Sequence, residues 1–555
     1  MGRGVHPVAA LVLACTTTFA LFSGLLLRAT IHPPLFTPRS AAKASGHGSH
    51  ARGEPPIRGV NLGGWLVLEP WITPSLFYQF LDDDPPAIDE QSLCAMLGPA
   101  ESRSQLRAFR DVWVTEDTIA TLRRIGINTV RVPYGYWVFG DQPSFCPGVS
   151  SIEYVDRAVG WAEEYGLRVV LDLHGVPGSQ NGFDNSGEAH RPPFGVRFDA
   201  HAWLSDANVN VTLGVLRRVA ARYANSSAVV QMGLVNEPNG FIFPAACSAN
   251  CPVDQARLLA YYERAWDAIR SVNSRVAPVL DASFRDGAWA RLHTPSWRNA
   301  RAVLDAHRYH AWLPGGSEVP QLVHLRRAGC DARRELATMA AEALPTVVGE
   351  WSLAVTDCMT FLNGVGAGSA TTSPAACGRV RCPETFGKLP RYVGSGGPLP
   401  RGARGGPDAA GMCPVGPHSA PRGPLEYDAF YRLLVAYAVS SFEVSAGWIF
   451  WNFKAEVADP RWSLLAVHER GWLPRTLDGW SPPAPDCGET VAGMPVAWLG
   501  VGACASLVGL IVALAVAATV ADDRQQCAAH IAERDAGGAF VKLWTVNQAE
   551  DRQSS

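Results

Sequence analysis

The chain has 555 residues, enough for one large barrel or several ordinary domains. Hydrophobic residues at 47% and charged residues at 18% give the balance of a globular protein and exclude a disordered one. A net charge of -3 offers no electrostatic footing for nucleic acid, so no nucleic-acid partner is expected.

Residues 1–7 are a short N-terminal segment. From Val8 to Leu27 the chain is uncharged over about the length that spans a bilayer, with Arg3 before it and Arg28 after it. Leu25, Leu26, Leu27 and Arg28 close this segment (8–27) without a clear small-residue cleavage site, so an uncleaved signal anchor is preferred to a signal peptide. Residues 28–56, rich in Pro, Ser, Ala, Gly and His without periodicity, read as a linker that holds the folded part off the membrane.

The folded part is expected over 57–490. Apolar runs at 59–62, 129–134, 168–174, 229–236, 277–282, 303–307, 344–350 and 447–453 read as strands. Helical patterns at 116–125, 151–165, 209–223, 255–271 and 427–441 lie between them. Apolar strands alternating with helices predict a parallel sheet covered by helices. About eight such units over some four hundred residues predict an α/β fold, a (β/α)8 TIM barrel with extended loops. No Gly-rich phosphate turn follows the first strand, which leaves a nucleotide-binding open sheet unsupported.

Residues 363–424 depart from the pattern. Gly, Pro, Ala and Arg dominate there, interrupted by Cys377, Cys382 and Cys413. The stretch reads as a long loop that either shapes the substrate pocket or is a tolerated insertion. Residues 498–521 are a second apolar run, so the barrel is expected to be flanked by two transmembrane helices. The polar tail 522–555 argues against a lipid-anchor signal. Of the 13 Cys, ten fall between the two apolar runs, a usage that predicts structural disulfides of open connectivity. Asn210-Val-Thr and Asn225-Ser-Ser are glycosylation acceptors. Together these place the middle of the chain outside the cytosol, membrane-anchored with an extracellular or lumenal domain.

Polar residues gather at the carboxyl ends of the expected strands. Asn61 and Glu69 follow the first, Arg131 and Tyr134 end the second, and His174 ends the third. Asn236 and Glu237 end the fourth, His307 and Tyr309 the sixth and Glu350 the seventh, with Trp451 near the end of the eighth. In a barrel these converge on one face. Taken alone, Glu237 in Asn-Glu-Pro is better read as a surface glutamate, because short motifs match by chance. Paired with Glu350 in Val-Val-Gly-Glu-Trp it meets the need of retaining glycoside hydrolysis, one carboxyl protonated and one ionised about 5 Å apart. This chemistry requires no metal and no organic cofactor.

Five stretches carry a closer likeness. They are Arg58-Gly-Val-Asn-Leu-Gly-Gly-Trp-Leu-Val-Leu-Glu-Pro-Trp, the seventeen residues from Leu171 to Gly187, Asn236-Glu-Pro, Gly349-Glu-Trp-Ser-Leu-Ala-Val-Thr-Asp-Cys and Gly447-Trp-Ile-Phe-Trp. In this order, from about Ile57 to Pro474, the chain resembles the fungal-type exo-β-1,3-glucanases of glycoside hydrolase family five. The resemblance implies Glu237 as proton donor and Glu350 as nucleophile, with Arg131 beneath Glu350 and Asn236 on the sugar 2-hydroxyl. It implies a first sugar subsite of Glu69, His174, His307, Tyr309 and Trp451, with Phe183 stacking on the next glucose. Phe284 and Trp312 either stack there too or pack. Trp71 stands where the family carries Tyr, which implies that a hydroxyl near the nucleophile is missing.

The function expected is release of glucose from β-1,3-glucan by a membrane-tethered enzyme. The alternatives are another β-glucoside such as a glycolipid, transfer of glucose to a sugar, or, in a different class, an inactive glucan-binding receptor.

Overall fold

Eight parallel strands close into a barrel in the computed structural model, each hydrogen-bonded to its neighbours in sequence order and the last to the first. They are β1 (Ile57–Asn61), β2 (Thr129–Gly135), β3 (Arg168–Gly175), β4 (Val229–Gly233), β5 (Ala277–Asp281), β6 (Val303–Arg308), β7 (Thr346–Trp351) and β8 (Gly447–Phe450). The structure describes residues 55–80, 83–141, 146–190, 198–239, 247–249, 252–289, 292, 295–365, 371–372, 377–381, 412–415, 420–457 and 459–487. The apolar segments 8–27 and 498–521, the linker 28–56 except its last two residues, and the tail 522–555 lie outside these residues. Among the described residues no helix is long and apolar enough to cross a membrane.

The strands form where the sequence predicts them, with shifts of one to three residues at the ends. The paired ladder of β4 stops at Gly233, although the sequence reads a strand to Asn236. Single bonds carry the segment on, Leu234 N–H to the Val279 carbonyl at 3.1 Å and Asn236 N–H to the Leu173 carbonyl at 2.9 Å.

The helices around the barrel include α1 (Glu90–Trp113), α2 (Glu116–Ile125), α3 (Ile152–Tyr165), α4 (Asp206–Arg222), α5 (Gln255–Arg270), α6 (Ala332–Glu342) and α7 (Tyr427–Phe442). Their starts follow local chemistry. Thr115 and Thr118 form a reciprocal cap at the head of α2, and the Ser205 and Asp254 side chains accept backbone N–H groups of α4 and α5. Gly126 ends α2 in the left-handed conformation, where a Cβ would sit 2.8 Å from the Leu477 backbone. α1 is invisible to periodicity because Gly98, at φ 71°, and Pro99 interrupt it.

Side chains alternate along a strand, so residues two apart share a face. Ile57, Val170, Val279, Val303, Val347 and Ile449 form an apolar plug inside the barrel. Two residues further on, Asp172, Asp281 and Asp305 stand on the same inner faces of β3, β5 and β6. The barrel thus changes from aliphatic to carboxylate within one layer. A Cβ on Gly349 would collide with Asp305 Oδ1, and one on Gly233 would lie 2.7 Å from Asp172 Oδ1, so glycines on β7 and β4 make room for the charged layer. The helices pack on the outer strand faces through a continuous core that includes Leu122, Leu173, Leu216, Tyr262, Leu336 and Phe430.

Among the described residues, disulfides join Cys94 to Cys146, Cys330 to Cys487 and Cys358 to Cys377. The last ties the segment after β7 to the long loop expected over 363–424. Within that loop Gly378–Arg381 pairs antiparallel with Met412–Val415.

Candidate active site

Arg131 on β2 is the hub of the charged layer. Its guanidinium Nη1 donates to Asn61 Oδ1 and to Glu350 Oε1, each at 2.9 Å, and Nη2 donates to Asn236 Oδ1 at 2.8 Å. Nη2 also lies 3.1 Å from Asp172 and 3.7 Å from Asp305. A cation with 2% side-chain exposure is tolerable only when ringed by charge in this way. Burial opposes the charge, yet Asp172, Glu350 and Asp305 together raise the guanidinium above its already high value, so it is permanently ionised.

Glu350, at the end of β7, has both oxygens occupied by donors, Oε1 by Arg131 and Oε2 by the Tyr309 hydroxyl at 2.9 Å. Burial, reinforced by the Glu237 charge, raises its carboxyl, against the pull of His307 and Arg131. Glu237 follows β4 with a left-handed backbone, φ 45°. Its Oε1 lies 2.7 Å from His307 Nδ1, and its Oε2 accepts from Asn185 Nδ2 at 3.0 Å. Burial pushes the Glu237 carboxyl up, but the His307 hydrogen bond and charge outweigh it and hold the group below its ordinary value.

His307 stands between the two glutamates, with Nδ1 also 3.4 Å from Glu350 Oε2. Burial works against its charge, but Glu350, Asp305 and Asp281 raise it well above the usual imidazole range. One oxygen of Glu237, one of Glu350 and one His307 nitrogen all lie within 4.8 Å of one another. So close an approach fits the retaining arrangement, with carboxyls about 5–5.5 Å apart, and not the wider one that seats a water between them.

The other sequence-predicted residues extend this network. His174 Nδ1 lies 2.6 Å from Asp172 Oδ2, and its ring stacks on Trp451 at 5.5 Å and 6°. Asn236 Nδ2 reaches His174 Nε2 at 3.5 Å. Glu69 is buried near both glutamates; burial first, then Asp184, Glu350 and Glu237 raise its carboxyl. The Tyr309 ring meets Trp312 and Trp462 at 5.3 and 5.8 Å. Phe183 is half-buried on the loop that delivers Asn185. Phe284 and Trp312 are 40% and 38% exposed at the rim, Phe284 edge-on to His307 at 6.0 Å and Trp312 donating to Asn363 Oδ1 at 2.8 Å.

Sequence reasoning missed Asn185 and the aspartates Asp172, Asp281 and Asp305. Each aspartate interrupts an apolar strand at an inward position, and a carboxylate inside such a run is the signal that identifies it.

A closed parallel barrel with a paired carboxylate site at the carboxyl ends of its strands defines an O-glycosyl hydrolase of the retaining type. The family model for cellulase (glycosyl hydrolase family 5) matches residues 97–361. The glucan 1,3-beta-glucosidase of Blumeria graminis is 33% identical over 79% of this chain and 91% of its own length. The probable glucan 1,3-beta-glucosidase A of Aspergillus terreus is 32% identical over 78% and 91%, and glucan 1,3-beta-glucosidase 1 of Schizosaccharomyces pombe 32% identical over 76% and 88%. The chain belongs to glycosyl hydrolase family 5. Two crystal structures share its fold at 19% identity: AoRut, with a TM-score of 0.53 over 75% of this chain and 96% of that one, and a rutinosidase from Aspergillus niger, with 0.51 over 75% and 98%.

Proposed function

We propose that this hydrolase releases glucose from the ends of β-1,3-glucan chains by double displacement, with Glu350 as nucleophile and Glu237 as acid and base. The observation that carries the assignment is the partner set of each glutamate. Both Glu350 oxygens accept from donors, Arg131 and Tyr309, which favours the ionised form against the burial that raises this carboxyl. Glu237 faces His307, which serves as donor or acceptor. With no substrate bound His307 holds the proton and Glu237 is ionised; passing that proton across 2.7 Å as the sugar enters makes Glu237 the neutral acid and removes the like charge beside Glu350.

In the first step Glu350 attacks the anomeric carbon, the glycosidic C–O bond breaks and Glu237 protonates the leaving oxygen. In the second, Glu237 takes a proton from water, whose oxygen displaces Glu350. Asn236, held by Arg131 and His174, addresses the sugar 2-hydroxyl. Glu69, His174, His307, Tyr309 and Trp451 line the first subsite, and Phe183, Phe284 and Trp312 offer faces to the next glucose.

The β-1,3 linkage is supported by the three curated relatives, each at 32–33% identity over most of its length. A membrane-anchored domain outside the cytosol is supported by the apolar runs 8–27 and 498–521, by the disulfides and by the acceptors Asn210 and Asn225, both exposed. Digestion of reduced laminari-oligosaccharides tests the reading. Glucose alone at early times is expected, with no product from Glu350→Gln; mixed oligomers would refute chain-end attack. Protease protection of the two termini tests the membrane topology.

A further inference from the structure

We propose that Asp281 is a positioning residue for the acid and base glutamate, fixing the backbone from which the Glu237 side chain reaches the scissile bond. The proposal rests on the reading of Glu237 given above.

Asp281 ends β5, with 5% exposure, and touches neither Glu350 nor the Glu237 carboxyl within hydrogen-bond distance. Its two oxygens serve two backbone turns. Oδ2 accepts the Glu237 N–H at 3.0 Å, and Oδ1 accepts the Ser283 N–H at 2.6 Å. Both recipients lie in the left-handed region, Glu237 at φ 45° and Ser283 at φ 56°, and Phe284 follows at φ 53°. L residues with side chains of this size rarely hold that conformation, and it persists where the surroundings impose it.

The two turns are also tied to each other. The Ser283 hydroxyl donates to the Pro238 carbonyl at 2.6 Å, one residue beyond Glu237. The end of β5 is itself anchored, since the Tyr262 hydroxyl of α5 donates to the Asp281 carbonyl at 2.9 Å. His307 Nε2 stands 3.7 Å from Asp281 Oδ2, beyond a direct hydrogen bond. Asp281 therefore bonds Glu237 only at the peptide N–H, and its charge reaches the carboxyl end through His307, which with Asn185 holds that end. An unusual backbone fixed at one end and a carboxyl fixed at the other leave the Glu237 side chain one orientation.

Asp281→Asn replaces one acceptor oxygen with an NH2 group, so one of the two backbone N–H groups loses its acceptor whichever way the amide turns. If Asp281 positions the acid, the loss depends on the leaving group. Hydrolysis of a β-glucoside with a poorly acidic leaving group, such as methyl or phenyl, falls about tenfold or more, whereas 2,4-dinitrophenyl β-glucoside, which departs without a proton, loses less than about threefold in its first step, read as the pre-steady-state burst. Asp281→Glu keeps both acceptor oxygens but carries them one methylene further, off the Glu237 and Ser283 N–H groups, and gives the same pattern should the amide variant not fold. Equal losses on both glucosides in whichever variant folds would make Asp281 a packing residue and overturn the proposal. Glu237→Gln, measured on the same pair, separates the two readings. If it shows no dependence on the leaving group, the assignment of Glu237 itself fails; if it does and the Asp281 variants do not, only the role of Asp281 fails.

Discussion

The indole N–H of Trp71 donates to Glu69 Oε2 at 2.8 Å and leaves Glu69 Oε1 buried with no hydrogen-bond partner among the described residues. The Trp71 ring is fixed in turn against Trp462, at 5.0 Å and 61°. An unpaired buried carboxyl oxygen beside the two glutamates proposed as catalytic is placed to meet a substrate hydroxyl. Trp71 thus holds Glu69 by one oxygen and presents the other. The hydroxyl that Glu350 does receive is that of Tyr309.

Trp71→Phe keeps the ring and removes the donor. The Trp71 hydrogen bond lowers the Glu69 carboxyl, so its loss lets burial raise that group further and weakens the grip on the sugar. With the Glu69 carboxyl raised by burial, the bond counts as an ordinary hydrogen bond of about 0.5–1.5 kcal/mol, which predicts a fall in kcat/KM of roughly threefold to tenfold on an aryl β-glucoside. A change within twofold would show that Trp71 only packs.

Arg131→Lys tests the hub. A planar fork meets Asn61, Asn236 and Glu350 together, and an ammonium at the end of a flexible stem cannot. Disrupting a buried pair costs about 3–5 kcal/mol, so Tm is expected to fall by roughly 5 °C. Loss of the Asn236 contact also frees the group proposed to hold the 2-hydroxyl, and kcat is expected to drop about a hundredfold. Calorimetry and steady-state kinetics on one preparation check both; an unchanged kcat with a lowered Tm would remove Arg131 from the reaction.

The barrel was legible because each strand is an apolar run closed by polar or turn residues, as in Val229 to Asn236. The convergence of Glu237 and Glu350 was legible because strand ends in a barrel face one way. The floor of the site was not, since Asp172, Asp281 and Asp305 matter through partners brought from other strands, and periodicity does not report those. Helix α1 was hidden by Gly98 and Pro99, which break the 3.6-residue repeat that its two halves keep. Cysteine pairing was closed to sequence because Cys330 and Cys487 stand 157 residues apart and are brought together only by the fold.

His310 and His324 form a second buried pair, Nδ1 to Nδ1 at 3.0 Å with the rings stacked at 5.3 Å. Burial, with the Arg327 charge, lowers His324 from 6.5 to about 4, and burial with the His324 charge lowers His310 well below the usual range. The sign follows from the lowered values. Neutral in the fold, the histidines stabilise it fully above pH 6.5, and that contribution is lost as pH falls through about 4. For His324 alone it is on the order of 3 kcal/mol. His324→Gln keeps a hydrogen-bonding partner for His310 without the titration. Thermal melts at pH 7 and 4.5 are expected to converge more in this variant than in the parent chain; parallel shifts would show that the pair does not set acid stability.

Glu237→Ala removes the proposed acid and base while leaving Glu350, Arg131 and Tyr309 in place. The rate on a poorly activated glucoside is expected to fall by about 10²–10⁴, the usual worth of general acid and base catalysis. An activated aryl glucoside still forms the glucosyl-enzyme, and its breakdown then waits for a nucleophile that needs no base. Azide is such a nucleophile and fits the space the side chain vacates. Its addition is expected to restore turnover and to yield β-glucosyl azide, since two inversions retain configuration. The product's anomeric configuration is read by NMR. The α-azide would mean a single displacement and would contradict the 4.8 Å grouping of Glu237, His307 and Glu350 as a retaining site. No rescue, with activity already normal, would move the acid role to another residue.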